Sequence, residues 1–263
     1  MIDPHTSGAP LPSLRQRLQA GEFVLGTFLE LPSPPLVEML AIAGFDFVII
    51  DREHGSIDLG AAENLVRAAE AAGIAPIVRV PENNTVAVRQ PLDMGAAGTQ
   101  VPQVGSKEEA ERVVQAATFA PTGDRGLQPF VRGARYGADG AAAFMHRANR
   151  DALLVVHIEG ERGAANLPGI LEVDRIDVLF IGPYDLSQSL GVPGQVEHPL
   201  VEAKVREIVA LARAASKCVG IFCDSPARVR KWRALGVQYT ALSIDAMIFL
   251  NACRDLVRQV KQD

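Results

Sequence analysis

LLVVHIEGERGAANLPGILEVDRIDVLFIGPYDLS, residues 153–187, decides the reading of this chain. It contains two short apolar runs, 153–158 and 178–181, with the acidic residues Glu159 and Asp185 close behind them. The segment between them is long enough for one crossover helix, and strand–crossover–strand is the unit that joins parallel strands. Both carboxylates then leave the sheet at the same end, where α/β sheets and barrels place their ligands. Two hard oxygen donors with no thiolate nearby suit Mg²⁺, Mn²⁺ or a similar divalent ion. The alternative is a pair of carboxylates that only caps loop amides.

The same grammar runs outward from this unit. Helices expected at 36–43, 63–72, 86–94 and 228–235 are each followed by a glycine, Gly44, Gly73, Gly95 or Gly236. Glycine tolerates the positive φ that follows a helix C-terminus. Strands are expected near 24–29, 47–51, 76–80, 99–104, 153–158, 178–182, 219–223 and 239–243. Eight alternating units favour an α/β chain folded as a single (β/α)8 TIM barrel over residues 14–263, behind a disordered lead at 1–13. An open doubly wound sheet is the alternative, because strand order is not written in the sequence. The interval 118–153 breaks the rhythm. It is Gly/Pro/Arg-rich and longer than a compact barrel needs, with an extra helix expected at 138–149.

Composition narrows the function. The 263 residues are 48% hydrophobic, enough for a full core, and the net charge of −5 with scattered basic residues leaves no footprint for nucleic acid. No window offers the ~18 apolar residues of a membrane span, and the N-terminus lacks the apolar core of a signal peptide. Cys218, Cys223 and Cys253 form neither a disulfide framework nor a metal spacing, which points to a reduced, cytoplasmic protein.

Charged residues gather at the predicted C-terminal ends of strands: Asp51-Arg52-Glu53-His54, then Arg79, then His157 and Glu159, then Tyr184-Asp185. His157 and Glu159 are two apart and share one face of an extended strand. Singly, each has a plainer reading: a loop cap for Asp51, a surface histidine for His54, a carboxylate partner for Arg79, a core histidine for His157. Their convergence on one mouth favours an active site.

FDFVIIDREHG (45–55), IVRVPENN (77–84), QPLDMGAAGTQVPQV (90–104), TGDRG (122–126), HIEG (157–160) and FIGPYDLS (180–187) follow in order. This set resembles the HpcH/HpaI family of class II, metal-dependent 2-keto-acid aldolases, barrels of the pyruvate/phosphoenolpyruvate type, over residues 26–244. The resemblance implies a lyase that cleaves 4-hydroxy-2-oxo acids reversibly to pyruvate and an aldehyde through a pyruvate enolate. It implies that Glu159 and Asp185 hold a divalent metal (Mg²⁺, Mn²⁺ or Co²⁺) and that Arg79 faces the C2 oxygen. His54 would be the acid/base group, oriented by Asp51 or Asp93, with His157 and Tyr184 beside the substrate. A homo-oligomer is also implied, a hexamer or another dimer-based assembly. The loop at 123–126, with Arg125, is the candidate for reaching a neighbour's site. Arg52, His157 and Tyr184 depart from the family pattern.

Two observations are independent of the resemblance. None of the lysines, Lys107, Lys204, Lys217, Lys231 and Lys261, falls at a predicted strand C-terminus, so a Schiff-base aldolase lacks its amine. The loops CDSPAR (223–228) and SIDAMI (243–248) lack a glycine-rich phosphate cradle, which favours unphosphorylated substrates. The other readings are a barrel that binds a keto acid without turnover and a citramalyl- or malyl-CoA-type lyase. Against the latter, no basic groove for a CoA diphosphate is evident.

Overall fold

The structure, a computed structural model, describes residues 12–261; residues 1–11 of the expected lead lie outside the described residues. Eight strands, β1 (Val24–Leu29), β2 (Phe47–Asp51), β3 (Ala75–Arg79), β4 (Gly98–Val101), β5 (Leu153–Ile158), β6 (Val178–Ile181), β7 (Cys218–Cys223) and β8 (Tyr239–Ile244), form one closed barrel. Every pair is parallel, each strand bonds to its neighbours in sequence, and β8 closes on β1. The open-sheet alternative is thereby excluded. Most strand bodies are apolar on both faces because one face fills the barrel and the other lies beneath helices.

The first six helices are α1 (Leu14–Gln19), α2 (Pro34–Ile42), α3 (Leu59–Ala72), α4 (Thr85–Met94), α5 (Lys107–Ala117) and α6 (Ala141–Asp151). The second six are α7 (Glu161–Ala165), α8 (Leu167–Leu171), α9 (Pro183–Ser189), α10 (Pro199–Ala214), α11 (Pro226–Ala234) and α12 (Asp245–Lys261). Gly44, Gly73, Gly95 and Gly236 take φ between 77° and 97°, as their place after a helix requires. The crossover between β5 and β6 is two short helices rather than the single one expected. Pro168 at the start of α8 lacks the N–H that would continue α7, and Asn166 pins the break by donating to the Gly105 carbonyl at 2.8 Å. The helix expected at 138–149 begins three residues later, at Ala141, behind a 3₁₀ turn at Arg132–Gly137.

Inside the barrel the packing is aromatic. Phe47 stacks on Tyr239 at 4.1 Å, and Phe180 meets Tyr239 edge-on at 6.0 Å. Two glycines make room for these rings. A Cβ on Gly26 would lie 2.3 Å from Phe47, and one on Gly220 would lie 2.8 Å from both Phe180 and Tyr239. Leu14 and Leu18 of α1 belong to the same cluster and cover the strand N-termini. Among the described residues no helix is long and apolar enough to cross a membrane.

Candidate active site

Parallel pairing of β2 with β3 sets Asp51 directly opposite Arg79 at the C-terminal end of both strands. The guanidinium binds Asp51 through two donors, Nε to Oδ1 at 2.8 Å and Nη2 to Oδ2. Its third nitrogen lies 2.9 Å from Glu53 Oε2, and the group sits over the Phe28 ring at 4.8 Å. Asp51 is fully buried and Arg79 nearly so. A bidentate, ring-backed guanidinium is held rigidly, as a fixed charge must be. Burial pushes the Glu53 carboxyl up, against the pull of Arg79.

Neither expected orienting partner hydrogen-bonds the His54 imidazole in this structure. Asp51 Oδ1 accepts the backbone N–H groups of Glu53 (2.9 Å) and His54 (3.3 Å), so it shapes the loop and holds Arg79 rather than the imidazole. Asp93 stands at the C-terminal end of α4, away from the mouth, paired with Arg125 at 2.8 Å and Arg89 at 3.3 Å. The His54 side chain is 63% exposed, and its charged neighbour is Glu53 at 3.9 Å. Arg125 does not project from its loop. Its side chain is 1% exposed and stacks over Phe119 at 4.6 Å.

Glu159 follows β5, and Asp185 stands in the first turn of α9, directly after β6. Gly182 between them explains their approach. The position its Cβ would occupy is 2.9 Å from Glu159 Oε2 and 3.6 Å from Asp185 Oδ2, so both carboxylates close over a residue without a side chain. Glu159 Oε1 accepts the backbone N–H of Gln103 at 2.7 Å, and Gln103 adopts a left-handed φ of 55° to aim it. Burial disfavours the Glu159 charge, yet His157, the Gln103 N–H and Arg79 together hold its carboxyl below the ordinary value.

His54, Arg79, His157, Glu159, Tyr184 and Asp185 line one cavity of about 420 Å³. An adjoining cavity of about 360 Å³ shares His54, Glu159 and Asp185 and adds Glu53 and Gln103. Both ring nitrogens of His157 are engaged inside the protein, with Gln100 at 2.7 Å and Glu159 at 2.8 Å, which leaves none to offer a substrate. Tyr184 is exposed at the rim, its hydroxyl 3.5 Å from Asp224. Arg52 turns toward the Ile57 carbonyl (3.4 Å) and lines neither cavity. No lysine lines them either, and Lys217 instead donates to the carbonyls of Val173, Asp174 and Ile176 at the N-terminal end of the barrel.

A divalent cation fits the carboxylate pair. Among the described residues no group of three or more His, Cys, Asp or Glu side chains is arranged as a complete metal cage. Mg²⁺-like ions use one or two carboxylates and keep the remaining positions for water and substrate oxygens. Glu159 and Asp185 supply hard oxygens at the edge of a cavity that could hold such a substrate.

Sequence reasoning passed over Gln100, Gln103 and the role of Glu53. Glu53 had a signal: it lies two residues beyond Asp51, the spacing that returns a side chain to the same face of extended backbone. Gln103 acts through its backbone and carries no side-chain signature.

The profile of the HpcH/HpaI aldolase/citrate lyase family matches residues 24–252. A hydroxypyruvate/pyruvate aldolase of Pseudomonas aeruginosa is 32% identical, covering 96% of this chain and 94% of its own. A 2-keto-3-deoxy-L-rhamnonate aldolase of Klebsiella pneumoniae is 34% identical, covering 95% and 93%. The crystal structure of an HpcH/HpaI aldolase/citrate lyase family protein from Burkholderia cenocepacia is 33% identical with a TM-score of 0.90, covering 94% of this chain and 98% of its own. The chain belongs to the HpcH/HpaI aldolase/citrate lyase family and is a carbon–carbon lyase of the aldolase type.

Proposed function

We propose that this enzyme is a divalent-metal-dependent pyruvate aldolase that cleaves 4-hydroxy-2-oxo acids to pyruvate and an aldehyde and runs in reverse as a carboligase. The observation that carries this reading is the single cavity shared by Arg79, His54, Glu159 and Asp185. A divalent cation held by Glu159 and Asp185 would supply Lewis-acid polarisation of the 2-oxo group. In cleavage the 4-hydroxyl gives up its proton, the C3–C4 bond breaks, and its electron pair remains on the pyruvate fragment as an enolate that takes a proton at C3. Arg79, fixed by Asp51 and Glu53, is suited to stabilise the negative charge that grows on the C2 oxygen. His54, exposed at the rim, is suited to carry the proton between substrate and solvent.

The same reading covers a homo-oligomer and a reduced, cytoplasmic setting. Ile248, Phe249, Leu256, Val257 and Val260 are exposed along α12, a stripe suited to cover by a second copy. Cys218 and Cys223 are pushed up to about 12 by burial, which makes them unreactive thiols.

The deciding test is exchange of the pyruvate methyl protons in D₂O, followed by NMR with Mg²⁺ or Mn²⁺ and again with EDTA. Metal-dependent exchange is expected, falling on the order of 10²–10³-fold in Asp185→Asn. Exchange that EDTA leaves untouched would overturn the metal reading. Binding of pyruvate with no exchange would favour the non-catalytic barrel.

A further inference from the structure

A chain of buried side chains joins the barrel interior to Glu159. Tyr239, on β8, donates its hydroxyl to Oε1 of Gln100, on β4, at 3.2 Å. The Gln100 amide is thereby turned so that Nε2 meets His157 Nε2 at 2.7 Å. At the opposite edge of the imidazole, Nδ1 lies 2.8 Å from Glu159 Oε2. Tyr239 and Gln100 are fully buried and His157 nearly so, with Phe180 stacked on the imidazole at 4.8 Å.

Donor and acceptor roles follow from the hydrogen count. An amide NH₂ can only donate, so His157 Nε2 accepts. A neutral imidazole that accepts at Nε2 carries its proton on Nδ1, where it faces the carboxylate. Glu159 is then gripped from two fixed directions, by His157 on Oε2 and by the Gln103 N–H on Oε1. These set the plane of the carboxylate while each oxygen keeps a lone pair. Gln100 and Tyr239 line neither mouth cavity, so their influence on substrate must pass through His157 and Glu159.

We propose that Tyr239, Gln100 and His157 form a positioning chain that locks His157 in its Nδ1–H tautomer and so fixes the Glu159 carboxylate in the rotation that receives a divalent cation. The proposal rests on the reading of Glu159 and Asp185 as a cation site. Outer partners of metal-binding carboxylates commonly control affinity by 10–100-fold, and this chain supplies such a partner from the far side of the barrel.

Two measurements test it. In metal-free wild-type protein labelled with ¹⁵N-histidine, His157 is expected to show a protonated Nδ1 and an unprotonated, hydrogen-bonded Nε2. In Mn²⁺ titrations followed by EPR, Gln100→Leu is expected to weaken binding about 10–100-fold, and Tyr239→Phe about threefold. A purely structural role would lower the melting temperature of these variants without moving Mn²⁺ affinity or the tautomer. An Nε2–H tautomer in the wild type overturns the chain outright, whether or not Gln100→Leu folds. Wild type that binds Mn²⁺ while Gln100→Leu and Tyr239→Phe bind it equally well removes the positioning role alone. Wild type that binds no Mn²⁺ removes the cation reading and this role with it.

Discussion

At the floor of the barrel, Asp46, Asp177 and Lys217 are spent on strand ends and on neighbouring charges, whereas Glu159 and Asp185 at the mouth line an open cavity. Asp177 accepts Arg15 at 2.8 Å, the Leu154 N–H at 2.9 Å and Arg175, and Asp46 accepts Arg17 and the Leu25 N–H, both at 2.8 Å. Lys217 uses three donors on three carbonyls. At the mouth, Asp185 is exposed to the cavity and Glu53 is half-buried, its carboxyl raised above the ordinary value by burial. The two ends use the same residue types. Saturating their hydrogen bonds yields stability, and leaving lone pairs turned toward a cavity yields a place for a ligand.

Three variants break or sharpen this contrast. Arg79→Ala should lower the rate of metal-dependent pyruvate exchange on the order of 10²–10³-fold, with Mn²⁺ affinity within about threefold of wild type. It should also lower the melting temperature, because the fully buried Asp51 loses its counter-charge. Weak pyruvate binding with normal turnover would remove the transition-state role. Asp177→Asn, at the other end, should cost about 1–3 kcal/mol of stability, seen as a fall of about 2–4 °C per kcal/mol. Its exchange rate should stay within about twofold of wild type, and a larger loss would show that the floor is coupled to the chemistry.

The smallest effect concerns pH. The Glu53 carboxyl is raised above its ordinary value by burial, so the folded state holds that proton more tightly than the unfolded state. Stability from this group is therefore lost as pH rises from the ordinary glutamate value through the folded one. Glu53→Gln does not titrate there. In metal-free melts between about pH 4 and pH 7, the variant should gain on wild type as pH increases. A variant that loses ground instead would mean that Arg79 outweighs burial.

The barrel was legible because its strands are short β-branched runs and four of its helices are followed by a glycine, both local signals. The carboxylate pair was legible because Glu159 follows one such run directly and Asp185 stands four residues beyond the end of another. Partner choice was not. That Asp51 serves Arg79 instead of His54 depends on the β2–β3 register, and the link from Tyr239 to Gln100 spans 139 residues and half the barrel. The broken crossover at Asn166 carried its signal, Pro168, in plain view. The placement of Asp93 could have been reasoned from topology, since a helix that follows a strand ends at the opposite face.

The aromatic packing around Phe47, Phe180 and Tyr239 has a consequence for proton traffic. Phe47 and Tyr239 are fully buried, Phe180 is 1% exposed, and α1 lies across the far end. These rings fill the axis of the barrel between its two faces. On the proposed reading, a proton that reaches the reacting carbon comes and goes through the open rim, where His54 stands in contact with bulk solvent.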